Sequence, residues 1–445
     1  MSKEPIVIGE GAFGCVIKPS LPCSNKKLSY KNKISKVMFS KEAIKELKEY
    51  TIIAKADKKQ NFYLGVPTHC RVKKTKETIK AIGKCVHLKK KYFHKTSLKD
   101  GIKNLDLLVM KDGGMNLKML SIMVDVMKVT RENSMKVKKI WIEMHKLFRG
   151  ILLFQKHGIV HHDVKPQNIV YNIEDHLVNF IDFGHMRNIS YEIKKSAASD
   201  NWIYDYPFWN YPLEIQFLNK RDYLRFSSKT PSEKEKFFSR IVDDLHNNSD
   251  TKFVDAFRIF LDYIIYNTSK SEEKEIIQKY LLAYHKMIME QVIPNKYEEF
   301  LHKSVKSIDV YGLGMSLYYL LNCSAKFFKK EMITSFETCF FNMTTPNLLQ
   351  RFSMEEAIDM FENILTEAGF MEEFGLAFEN HEIIENKTGV KMLQKIKRLD
   401  SSDISIDTMS EHHLEKAIVM PTCSKSSKRK CNKLNSHNTT RKVYK

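Results

Sequence analysis

No run of about eighteen apolar residues occurs anywhere in the chain, so no helix is expected to cross a membrane. The opening Met1-Ser2-Lys3-Glu4-Pro5 lacks an apolar signal region, and Ser2 stands where N-myristoylation needs glycine. No Cys-x-x-Cys pair is present. The eight cysteines (Cys15, Cys23, Cys70, Cys85, Cys323, Cys339, Cys423, Cys431) are scattered, which predicts reduced thiols in a cytoplasmic setting rather than a zinc site or disulfide frame. His161-His162 and His412-His413 are sequence neighbours that cannot share a helix face, so they are poor metal sites. No internal repeat is found. Acid is scarce relative to base: the net charge is +20, which would draw the chain to nucleic acid, anionic lipid or acidic protein unless it is merely a solvated lysine-rich surface.

What is there suits a folded protein. The 445 residues are 43% hydrophobic, enough for two or three packed units. Ile6-Val7-Ile8 and Cys15-Val16-Ile17 flank a glycine-rich turn and predict a hairpin. Residues 40–56 predict a helix, with Ile44, Leu47, Ile52 and Ile53 near a 3.6-residue period. Residues 137–156 predict a long amphipathic helix ended by Gly158, and 309–321 a helix buried on most sides. A helical block is expected over about 219–304, one helix marked by Phe253, Phe257, Phe260 and Ile264, another by Ile277, Leu281, Tyr284 and Ile288. The last 22 residues, 424–445, hold eight Lys or Arg and no acid, which predicts a disordered basic tail.

The densest chemistry lies in His161-His162-Asp163-Val164-Lys165-Pro166-Gln167-Asn168, followed by Ile181-Asp182-Phe183-Gly184. Asp163 offers a base for a hydroxyl proton and Lys165 a cation for a phosphoryl group in flight. Asn168 and Asp182 offer hard oxygen ligands suited to Mg²⁺ that still carries phosphates and water. Short Asp/Asn/Gly clusters are also common in ordinary turns, so the rest of the chain must decide. Gly9-Glu10-Gly11-Ala12-Phe13-Gly14-Cys15-Val16 lets backbone approach phosphate oxygens. A dinucleotide fold would follow such a loop with a helix and an acid about twenty residues on. Here a β-prone run follows and position 34 is Ile.

In order and spacing these stretches resemble the eukaryotic protein kinases, with His-Arg-Asp written as His-His-Asp. The resemblance spans residues 8 to about 365. It implies an α+β, two-lobed fold: a β-rich lobe over 1–110, a helical lobe over 111–370 with the long insertion at 219–304, an extension over 371–423, and the tail. It implies MgATP as cofactor, held by Ile8, Gly9, Glu10, Gly11, Ala12, Phe13, Gly14, Cys15 and Val16, by Lys36, and by Met110 and Val170 at the adenine. Lys33 is the rival of Lys36. Glu49 is the expected partner of the lysine, because Ile52 and Ile53 follow it on the core side; Glu46 is second choice. Pro212-Leu213-Glu214, Ile308-Asp309-Val310-Tyr311-Gly312-Leu313-Gly314 and Arg351-Phe352-Ser353-Met354-Glu355-Glu356-Ala357 match further motifs. They imply a buried bidentate Glu214–Arg351 pair and Asp309 anchoring the catalytic loop.

Departures matter as well. His162 replaces an arginine that usually meets a phosphate, which predicts activity without activation-segment phosphorylation. Lys165 favours Ser/Thr acceptors in protein substrates, yet the segment 204–211 lacks the usual threonine. The Gly11-to-Cys23 opening and that aromatic segment look similar to kinases of large nucleocytoplasmic DNA viruses, which would imply host cytoplasm or virion; the basic tail leaves nuclear targeting and polyanion contact open. Competing readings are a non-catalytic scaffold or polyanion binder on the same fold, and a small-molecule or lipid kinase, which Asp-Phe-Gly and the Glu214/Arg351 pair disfavour. Oligomeric state and substrate are not legible.

Overall fold

The computed structural model describes residues 4–385 except 12–13, 87, 89–97, 206–207, 248 and 250. The expected tail, and the extension beyond 385, lie outside the described residues. The fold is α+β. Its contacts divide it into two units, one ending at Gly113 and the other beginning at Gly114, three residues past the expected boundary.

The first unit is built on an antiparallel sheet. Strands β1 (Ile6–Gly11), β2 (Gly14–Lys18), β3 (Lys33–Phe39), β4 (Thr68–Arg71) and β5 (Leu105–Lys111) lie in the order β1-β2-β3-β5-β4. The predicted hairpin is present, with Gly11 opposite Gly14. Gly14 is required by close approach: a Cβ there would sit 2.1 Å from the Val37 carbonyl oxygen of β3. Helix α1 (Ser40–Ala56) follows β3 directly and occupies the predicted span. Its buried face is Ala43, Glu46, Glu49, Tyr50 and Ile53, while Ile44 and Ile52 are exposed. A period read from apolar residues alone was therefore out of phase, because two glutamates occupy the buried stripe. A second helix, α2 (Lys76–Gly83), adds to the one expected.

The thiol expectation is overturned in this unit. Cys15 is joined to Cys85 and Cys23 to Cys70, across 70 and 47 residues. Only the folded sheet brings these partners together, through contacts such as the bridge between Cys23 and Val72, so local spacing carried no signal. Cys323 and Cys339, in the second unit, are free and buried.

The second unit is mostly helical. It begins with β6 (Met115–Asn116), α3 (Leu117–Val126) and α4 (Arg131–Lys156). Thr130 caps α4 by accepting from the Asn133 amide, and Gly158, at φ +66°, follows its end. The face Val137, Ile140, Met144, Phe148 and Ile151 is buried as the period predicts. Short strands β7 (Ile159–Val160), β8 (Ile169–Asn172), β9 (Leu177–Phe180) and β10 (Arg187–Asn188) frame the turn at residues 161–168, with β6-β8-β9 forming one small sheet and β7 pairing β10. Helix α5 (Ile189–Ala197) follows.

The helical block resolves into α6 (Lys220–Ser227), α7 (Pro231–His246), α8 (Lys252–Ile264) and α9 (Lys270–Glu290). Its expected end at 304 is corrected: α10 runs unbroken from Tyr297 to Ser324, so the last helix of the block is also the central helix carrying Asp309. Residues 304–321 of α10 are buried almost throughout. Helices α11 (Lys330–Thr344) and α12 (Met354–Glu367) and the hairpin β11 (Leu376–Glu379) and β12 (Glu382–Glu385) complete the described chain. Among the described residues no helix is long and apolar enough to cross a membrane.

Candidate active site

In the first unit Lys36 lies in the middle of β3, opposite Val16 on one side and Leu108 on the other. Its ammonium is 2.6 Å from Glu46 Oε2, and both side chains are largely buried. The pairing glutamate is thus Glu46, not the first choice Glu49. Since β3 passes into α1 without a loop, the helix meets Lys36 near its second turn, and Glu49 lies about 4.5 Å further along the axis. Glu49 shares the buried face but sits one turn on.

Of the glycine-loop residues, Gly9, Glu10, Gly11, Gly14, Cys15 and Val16 fall in the β1/β2 hairpin with Ile8, which is exposed; Ala12 and Phe13 lie outside the described residues. Glu10 accepts from the Val86 amide at 3.2 Å. Cys15 is fully buried and bonded to Cys85, so only its backbone remains for a ligand. Met110 packs partly against Met38, Ala43 and Leu108, and Val16 is half-buried.

In the second unit the turn after β7 gathers the predicted chemistry. Asp309 of α10 is fully enclosed, and its two oxygens accept from the His161 amide at 2.7 Å and the His162 amide at 2.9 Å. The expected anchoring role is what the geometry displays. Burial pushes the Asp309 carboxyl up to about 7, opposed by those two amides. Gly312, one turn later, lets α10 come against the turn: a Cβ there would lie 2.4 Å from the Val164 carbonyl oxygen. Composition had placed Gly312 in a motif without giving it this job.

Asp163, 8% exposed, is ringed by donors. Lys165 Nζ is 2.8 Å from each carboxylate oxygen, Asn168 Nδ2 donates to Oδ2 at 2.7 Å, and Asn210 Nδ2 donates to Oδ1 at 3.0 Å. Asn210 was missed. It sits in the segment noted only for lacking threonine, and the sequence signal that could have found it is an amide donor just before Pro212.

Asn168 and Asp182 leave the same end of the β8/β9 hairpin, where Ile169 pairs with Phe180 and the Ile181 amide donates to the Asn168 carbonyl at 2.9 Å. With the Asn168 amide nitrogen committed to Asp163, its Oδ1 is left for a cation. Asp182, half-buried at φ +61°, supplies a carboxylate. Among the described residues no cluster of three close His, Cys or acidic ligand atoms includes Asp182, so a hard carboxylate and an amide oxygen suit Mg²⁺ completed by phosphate oxygens and water better than a structural zinc cage. Val170 is buried in β8.

His162 is fully buried at φ +65°, its Nε2 3.1 Å from the Tyr204 hydroxyl. Burial, helped by the charges of His185 and Arg187, drives its imidazole down to about 3; burial takes His161 down to about 4. Both are therefore neutral near pH 7. Glu214 and Arg351 form the expected pair: Nη1 meets Oε1, Nη2 donates to Oε2 at 2.9 Å, and neither side chain reaches solvent.

No family model matches the chain, and no curated protein matches it.

Proposed function

We propose that the chain is a protein kinase that transfers the γ-phosphate of MgATP to Ser or Thr hydroxyls of protein substrates. The observation that carries the proposal is the Asp163 carboxylate held by Lys165, Asn168 and Asn210 above a backbone turn pinned by Asp309. Such a carboxylate is oriented rather than merely present, and orientation is most of what phosphoryl transfer asks of a protein. The Lys36–Glu46 pair supports the same proposal from the first unit, since a lysine for the α- and β-phosphates needs a glutamate to hold it.

In this mechanism the acceptor hydroxyl oxygen attacks the γ-phosphorus while its bond to the ADP oxygen breaks, and the hydroxyl proton passes to Asp163. Lys165 lies against both Asp163 oxygens and is therefore within reach of charge developing on the transferred group. Mg²⁺, when bound by Asn168 and Asp182, neutralises charge on the phosphates. The buried, neutral His162 offers no cation to a phosphate, so the proposal includes activity without phosphorylation of the segment before Pro212.

The test is labelling of a mixed protein extract by the full chain with γ-labelled ATP and Mg²⁺, followed by phosphoamino-acid analysis. Label in phosphoserine or phosphothreonine is expected. Absence of transfer, together with salt-sensitive binding to DNA or RNA, would favour the scaffold function that the +20 charge suggests.

A further inference from the structure

Helix α8 of the helical block reaches the catalytic turn through a side-chain hydrogen bond to Tyr263. Tyr263, in the last turn of α8, is 1% exposed and makes two contacts that converge on Asp163. Its hydroxyl accepts from Gln167 Nε2 at 2.7 Å, and Gln167 adjoins Asn168, which donates to Asp163. Its ring stacks on Trp209 at 4.7 Å and 3° between planes, and Trp209 adjoins Asn210, the other amide on Asp163.

Tyr263 is itself fixed. The Tyr319 ring of α10 meets it edge-on at 5.0 Å, the Lys118 ammonium stands 5.9 Å from its ring, and Asn322 of α10 donates to the neighbouring Ile264 carbonyl at 2.9 Å. Burial also pushes its hydroxyl above the usual phenol range, so it stays protonated and hydrogen-bonding across physiological pH.

We propose that Tyr263 is a positioning residue for phosphoryl transfer: it clamps Gln167 on one side and Trp209 on the other, and so sets both amides that orient Asp163. Through Tyr263 the helical block contributes to positioning the catalytic turn rather than serving only as an appendage. This rests on the kinase function proposed above. A planar, stacked aromatic with a single hydroxyl contact suits the task, because both partners are held by one rigid ring with little rotamer freedom to lose.

The test uses the full chain, MgATP and dephosphorylated casein, reading kcat, the ATP KM and the thermal midpoint. Tyr263→Phe, which keeps the stack and drops the Gln167 contact, should lower kcat about 3-fold; Tyr263→Ala, losing both, about 10- to 100-fold, with the ATP KM within about twofold of wild type. Phe257→Leu is the control: it lies buried in the same helix, away from the turn, and should lower the midpoint while leaving kcat unchanged. Should Tyr263→Ala fail to fold, Tyr263→Phe decides. Wild-type kcat in the Tyr263→Phe variant, or an equal loss of kcat in Phe257→Leu, would overturn the positioning role while leaving the kinase function intact. A wild-type chain that transfers no phosphate to any acceptor would overturn both.

Discussion

Replacing Arg351 by alanine should be among the most damaging single changes in the second unit. The guanidinium holds Glu214 through both of its terminal nitrogens, with neither side chain in contact with water. Glu214 has no other hydrogen-bond donor among the described residues, so Arg351→Ala leaves an unpaired buried carboxylate and should cost about 3–5 kcal/mol. For a unit of this size that is a fall in melting temperature on the order of 10 °C. The reverse change should hurt less. In Glu214→Ala the guanidinium still donates from Nε to the Thr345 carbonyl at 2.8 Å and from Nη1 to Ser307 Oγ at 3.3 Å, and lies 5.5 Å from the Tyr311 ring. The double change Arg351→Met, Glu214→Leu removes both charges at similar volume and should recover most of the loss. Urea and thermal melts of the four proteins measure these costs. Two outcomes refute the reasoning: Arg351→Ala within about 1 kcal/mol of wild type, or Glu214→Ala worse than Arg351→Ala.

Four further outcomes follow from the same geometry. His162 is neutral when folded, with its pKa brought down to about 3, while the unfolded chain binds a proton below about 6.5. Its contribution is therefore complete above about 6.5 and is lost as pH falls, and His162→Gln should flatten the rise of stability with pH between about 4 and 6; an unchanged slope in urea melts contradicts this. Asp309 acts in the opposite sense, since its raised pKa of about 7 makes the folded state lose stability as pH rises from about 4 to 7. Breaking the Cys15–Cys85 and Cys23–Cys70 links with a phosphine reductant should cost about 4 kcal/mol for each in the chain-entropy treatment, and a melt of the first unit unmoved by reduction would argue against the links. Glu46→Gln should raise the ATP KM at least about tenfold through loss of the Lys36 ion pair, and more than Glu49→Gln does; the reverse order would restore Glu49 as the partner.

Where local chemistry determines structure, the sequence was readable. The span of α1, the hairpin around the glycines and the face of α4 rest on periodicity and turn chemistry, while the Glu214–Arg351 pair followed from the resemblance of its two motifs. The anchoring position of Asp309 came from the resemblance, and the structure gives its physical reason, a lone acid in an apolar helix that must find donors. What failed depended on tertiary geometry or on element boundaries. The disulfides join cysteines that no spacing rule connects, Glu46 won over Glu49 through the short passage from β3 into α1, and α10 absorbed the end of the helical block because the pattern of 297–308 is amphipathic where that of 309–321 is buried. Asn210 and Tyr263 were missed because an amide and a phenol carry no motif of their own beyond their place in the chain. Their importance is entirely one of position beside Asp163 and Gln167.

The most direct measurement is the single-turnover rate of phosphate transfer from MgATP to protein by wild type and by Asp163→Asn, compared with ATP affinity measured on the same two proteins. Asp163 as base predicts a rate loss of about 10²–10⁴-fold with ATP affinity little changed. Transfer by Asp163→Asn at close to the wild-type rate would remove Asp163 from the mechanism and contradict the account.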